Sequence, residues 1–151
     1  MSGRAWTAGP VRDAAAFFRM LPELLPSGSV LYLEDVCSSD GVTLARSHCI
    51  EPQMKLALGT LWPRPNSFHL PLTLAIASGL AQLAEHHPTP EIAIHIHAYL
   101  GQEVLLEWHD AFTHPLRLAL TLPEARVRHL CEALQCKYEL EEPNLNQRWE
   151  A

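Results

Sequence analysis

The chain has 151 residues, 48% of them hydrophobic, enough for one domain with a real core. Its formal charge is −6, from 17 acidic and 11 basic residues without a long Lys/Arg run. That balance argues against a nucleic-acid or anionic-membrane surface and leaves a protein partner or a small molecule, with room for a homo-oligomer. The nine histidines nearly match the Lys+Arg count, so their full protonation would carry the formal charge from −6 to +3.

The first apolar run, Ala14 to Phe18, lies between Asp13 and Arg19 and is too short for a signal peptide. No stretch approaches the roughly 20 apolar residues of a membrane span. The expected location is therefore cytoplasmic. Cys37, Cys49, Cys131 and Cys136, none in Cys-x-x-Cys spacing, then read as reduced structural thiols.

Val11, Ala14, Phe18, Leu21 and Leu25 recur at helical spacing and predict a first helix that Pro22 should kink or split. Ser29 to Cys37 reads as a strand with Leu31 and Leu33 on one face and Tyr32 and Glu34 on the other. Ser38-Ser-Asp-Gly41 reads as a turn, and residues 42–52 stay ambiguous between strand and helix. Lys55 to Trp62 reads as a strand ended by Pro63, Pro65 and Asn66. Leu72, Ile76, Leu80 and Leu83 form a second helical stripe closing at His86-His87, where imidazoles suit a helix C-terminus.

Glu91 to Leu100 and the stretch ending at Asp110 alternate as two strands of a hairpin, and Leu116, Leu118 and Leu120 give the apolar face of a third. Thr121-Leu-Pro-Glu124 supplies a capping box for a last helix striped by Val127, Leu130, Cys131 and Leu134. Lys137 to Leu140 suggests an edge strand. Residues 141–151 read as a loose tail of a single domain spanning 1–151. Successive strands without a crossover helix predict an α+β fold: a mainly antiparallel sheet of about five strands, with about three helices packed mainly on one face.

The hairpin carries the sharpest chemical candidate. His95, His97 and Tyr99 share one face of their strand, and Glu107 and His109 share one face of the next. A two-residue Gly101-Gln102 loop on its own would set His95 and His97 beside Leu106 and Trp108. A three-residue loop, or an equivalent bulge, would pair His97 with Glu107 and gather Ile94, Ile96, Leu106 and Trp108 on the opposite face, which burial favours. In that register His95, His97 and His109 could ligate a divalent metal such as zinc, with Glu107 as further ligand or general base of a hydrolase. The alternative is a solvated polar face needing no cofactor.

A second candidate is the loop leading to His69. There Trp62, Phe68 and Arg64 have the character of partner-recognition residues, stiffened by two prolines, although Trp62 and Phe68 would serve equally as core. His48-Cys49 does not form a nucleophile–base pair, because neighbours in an extended chain point apart. His109-Asp110 fails in the same way as an orienting pair. There is no phosphate loop, nucleophile elbow or dinucleotide fingerprint. Two functions follow as expectations: a small binding or interaction domain using the His-rich sheet face or the 62–69 loop, or a metal-dependent hydrolase on the hairpin.

Overall fold

A computed structural model describes residues 3–57, 59 and 65–141. The expected tail beyond Glu141 lies outside them. In chain order the elements are β1 (Ala5–Gly9), α1 (Ala14–Leu24), β2 (Val30–Glu34), α2 (Ser39–His48), β3 (Ser67–Pro71), α3 (Leu74–His86), α4 (Thr89–Ile92), β4 (His95–Leu100), β5 (Glu103–Trp108), β6 (Leu116–Ala119), α5 (Glu124–Leu134) and β7 (Lys137–Leu140). The strands form one seven-stranded sheet, β3-β2-β4-β5-β6-β1-β7, in which every neighbouring pair is antiparallel. The α+β class and antiparallel sheet match expectation, but the described residues hold seven strands and five helices rather than about five and three.

Several elements depart from the sequence reading. Helix α1 runs through Pro22 unsplit, capped by the Asp13 side chain accepting from the Ala16 amide at 3.0 Å. Ser38-Ser-Asp-Gly41 is the start of α2 rather than a turn, because the Ser38 hydroxyl accepts from the Gly41 amide at 3.1 Å. The strand expected over 55–62 is absent at its described residues, 55–57 and 59, and β3 begins only at Ser67. The Gly59 amide in this stretch bonds the Glu34 side chain of the sheet instead of a neighbouring strand. The expected box at Thr121 does not cap α5: the N-cap position is Pro123, and the Thr121 hydroxyl bonds the Glu103 carboxylate. Glu91 and Ile92, the first residues of the expected alternating strand, instead close the single turn of α4.

The hairpin combines features of both expected registers. Gly101 takes φ +61° in a two-residue turn that pairs Leu100 with Glu103, correcting the three-residue loop. A bulge then leaves Leu105 without a partner, so that Ala98 pairs with Leu106, His97 with Glu107 and Ile96 with Trp108. The extra residue realigns the two apolar sets, as burial demands.

The sheet's apolar face joins Leu31, Leu33, Ile96, Leu106, Trp108, Leu116 and Leu118 to Phe17, Phe18 and Leu21 of α1, Ile76 and Leu80 of α3, and Val127 and Leu130 of α5. Trp108 centres an aromatic group, with Phe112 at 4.5 Å and Phe17 at 4.9 Å between ring centroids. Strand alternation sends Tyr32, Glu34, Ser67, His69, His95, His97, Tyr99, Glu107 and Arg117 to the other face. Described residues of the segment before β3 contact the β3, β2 and β4 part of that face. Ile50 bridges His69, the Gln53 amide donates to Tyr99, and the Gly59 amide donates to Glu34.

Candidate site on the buried polar sheet face

A sheet face rich in His and Glu is normally solvated. Here Glu34 and Tyr99 are fully buried, Tyr32 is 2% exposed, and His97, His95 and His69 are 4%, 5% and 8% exposed. Burying so many polar groups is costly unless each finds a partner.

Antiparallel pairing supplies those partners. Glu34 lies directly opposite His95 on β4 and opposite Ser67 on β3, while Tyr32 lies between His97 and His69. The Tyr32 hydroxyl donates to Glu34 Oε1 at 2.7 Å, and the Gly59 amide donates to both carboxylate oxygens at 3.1 Å. His95 Nε2 stands 3.7 Å from Glu34 Oε2. Burial pushes the Tyr32 phenol far above its ordinary range, and its bond to Glu34 and that carboxylate's charge act the same way, so it stays a donor.

Three imidazoles are held in one protonation pattern. The Trp108 amide donates to His97 Nδ1 at 3.1 Å, and the Asp110 amide donates to His95 Nδ1 at 3.0 Å. Asp110 takes φ +48° in the tight turn that follows β5. A nitrogen that accepts from a backbone N–H carries no proton, so the neutral rings of His95 and His97 carry theirs on Nε2. His69 reaches the same state by another route. The buried Tyr99 oxygen accepts from the Gln53 amide at 3.1 Å and lies 2.7 Å from His69 Nδ1, the acceptor available to its own proton among the described residues. This leaves His69 as an Nε2–H donor, without a partner for that group among the described residues. Burial lowers the His69 pKa, and burial together with the nearby His109 and His95 lowers that of His97 to about 4.

The structure gathers the residues singled out for metal chemistry. The His109 ring lies 4.8 Å from His97 and 5.4 Å from His95 between centroids, and His109 Nε2 is 3.8 Å from Glu107 Oε1. His109 itself is half-exposed at the rim. Glu107 also receives Arg117 Nη1 at 3.3 Å. Burial raises its pKa, but hydrogen bonding and positive charge, Arg117 included, outweigh that and hold it below the usual carboxylate range. Proximity is not a ligand set, however: no group of three His, Cys, Asp or Glu among the described residues is disposed to hold a metal ion. A neutral imidazole whose Nδ1 lone pair is engaged by an amide has no second lone pair to offer at Nε2.

Of the loop candidates, Trp62 and Arg64 lie outside the described residues. Phe68 is half-buried against the core, and His69 belongs to the polar face. The sequence places Tyr32, Glu34 and Tyr99 on strand faces but gives them no role in a site, and it gives Gly59 none either. The alternation of Tyr32 and Glu34 with leucines was visible, but the pairing of their strand with the histidine strand, across more than 60 residues of chain, was not.

A cleft of about 400 Å³ opens between residues 52–56 and the sheet, with Tyr32, Ser67 and His69 on the sheet side. The described residues thus form an antiparallel α+β fold with a buried polar network beside an open cleft. Comparison with protein-family models, curated proteins and solved structures finds no match. No helix among the described residues is long and apolar enough to cross a membrane.

Proposed function

We propose that the protein is a small-molecule-binding domain whose site is the cleft over Tyr32 and His69. The observation that carries this reading is the cleft-lining His69. Its Nδ1 is held by Tyr99, and its Nε2–H has no partner among the described residues. Around it Glu34, Tyr32, His95 and His97 hold one another and the nearby backbone amides, an arrangement that fixes geometry. A face with only a structural role would be served as well by apolar side chains of similar volume, without the cost of desolvation. The cleft's size lies in the range of small-molecule sites, which combine apolar walls with a few oriented polar groups.

A fragment screen followed by amide NMR tests the reading. Binders should shift Gln53, Lys55, Leu56, His69 and Gln102 together and lose those shifts in Ser67→Trp, whose indole fills the cleft. Binders that shift other regions and ignore that variant would refute it. A metal-dependent hydrolase on His95, His97, His109 and Glu107 is the second reading, favoured by the rings' proximity. It requires the Nδ1 bonds to be given up, so zinc should bind only with loss of those contacts.

A further inference from the structure

Resting on the small-molecule reading above, we propose that the ligand carries a carboxylate, held between the Lys55 ammonium and the His69 Nε2–H, with its organic part against Pro52, Met54 and Leu56. The chain as a whole is acidic, at −6, yet among the described residues no Asp or Glu lines this cleft, and Lys55 is its one charged lining residue. Lys55 therefore gives this cleft a local attraction for an anion in a chain whose net charge is negative. Glu34, the nearest acid along the sheet face, is fully buried, and its oxygens are occupied by the Tyr32 hydroxyl and the Gly59 amide.

The donor set then selects the anion. An ammonium and an oriented neutral N–H can each meet one oxygen of a carboxylate, and such charge-assisted bonds are short and strong. A phosphate dianion is ordinarily met by arginine forks or by several backbone amides at a helix N-terminus, and the described lining holds neither. The Gln102 side-chain amide is already committed, donating to the Gln53 carbonyl at 3.0 Å, so it fixes the wall of the cleft. Pro52, Met54 and Leu56 offer apolar area, with Met54 able to adapt to the ligand's shape.

The test uses the full chain and ¹⁵N-detected imidazole and amide shifts, titrated with benzoate and hexanoate, their neutral counterparts benzamide and hexanamide, and inorganic phosphate. At least one acid should bind roughly tenfold more tightly than its amide and perturb His69 Nε2. Lys55→Met, a surface change that should leave the fold intact, should remove most of that preference, and His69→Gln should weaken the acid independently. Amides binding as tightly as acids, or an acid affinity indifferent to Lys55→Met, would overturn the carboxylate proposal while leaving the cleft as a binding site. Phosphate binding more tightly than both acids would overturn it in favour of a different anion. No response to any probe would overturn it as well, whereas the small-molecule reading falls only if the fragment screen also leaves the cleft silent.

Discussion

His97 concentrates the chemistry of the sheet face in one side chain. Its Nδ1 accepts the Trp108 amide, its ring runs parallel to Tyr32 at 5.6 Å, and its pKa is lowered to about 4 from 6.5. Above pH 6.5 the ring is neutral folded and unfolded, so it makes no pH-dependent contribution. As the pH falls below 6.5 the unfolded chain takes up the proton first, and stability declines until about pH 4. Between pH 7 and pH 5 the loss from this residue should be about 2 kcal/mol, and His69, shifted the same way by burial, adds to it. Urea unfolding across that range measures the loss. His97→Asn, whose side-chain oxygen can replace Nδ1 as acceptor, should flatten the profile; a variant profile parallel to the native one would show that His97 is not the titrating group. The sequence revealed that His95 and His97 share a face with Tyr99. It did not reveal that amides of the next strand would fix their protons, because that depends on the bulge at Leu105.

Elements were legible where periodicity is strong and local, and less so where tertiary bonds decide. The stripes of α3 and α5 and the alternation of β4 and β5 could be read directly. Helix α2 was hidden because it buries only Gly41 and Ala45, too few apolar positions to show a stripe, and because Gly41 sits in its first turn, where a single serine cap settles the outcome. Residues 55–59 have strand-like composition, yet their described part lies across the polar face through amide–side-chain bonds that no local pattern encodes. Gly59 shows how close that approach is: a Cβ added there would stand 2.7 Å from the His95 ring. Gly59→Ala should therefore break the amide bond to Glu34, costing about 1–3 kcal/mol and speeding hydrogen exchange at Gln53 and Gly59 more than in β4. Unchanged exchange at both positions would mean that the segment is held by other contacts. At the end of α5, burial pushes the Cys131 thiol up to about 12 and raises that of Cys136. Thiol titration of native protein should thus label the exposed Cys37 and Cys49 quickly and Cys131 only on unfolding. Rapid labelling of all four would contradict the packing of α5.

At the scale of the whole fold, the sheet separates an apolar core, covered by helices, from a polar network contacted, among the described residues, by Ile50, Gln53 and Gly59. This partition alters the molecule's charge. Composition alone implies an isoelectric point of about 5.8, counting each group at its ordinary pKa. In the fold, His69 and His97 stay neutral where ordinary histidines begin to charge, and Glu107 stays ionised further into acid, so both effects make the net charge more negative. Native isoelectric focusing should place the protein at lower pH than focusing in urea; coincident bands would argue that the polar face is solvated. The cleft reading itself depends on histidines held by internal hydrogen bonds. The sharpest test is long-range ¹H–¹⁵N correlation of the imidazoles at neutral pH, before and after one equivalent of zinc. His69, His95 and His97 should each show a protonated Nε2 and an unprotonated Nδ1 that zinc leaves in place. Rings protonated at Nδ1, or a joint shift of His95, His97 and His109 on adding zinc, would contradict it and favour a metal centre.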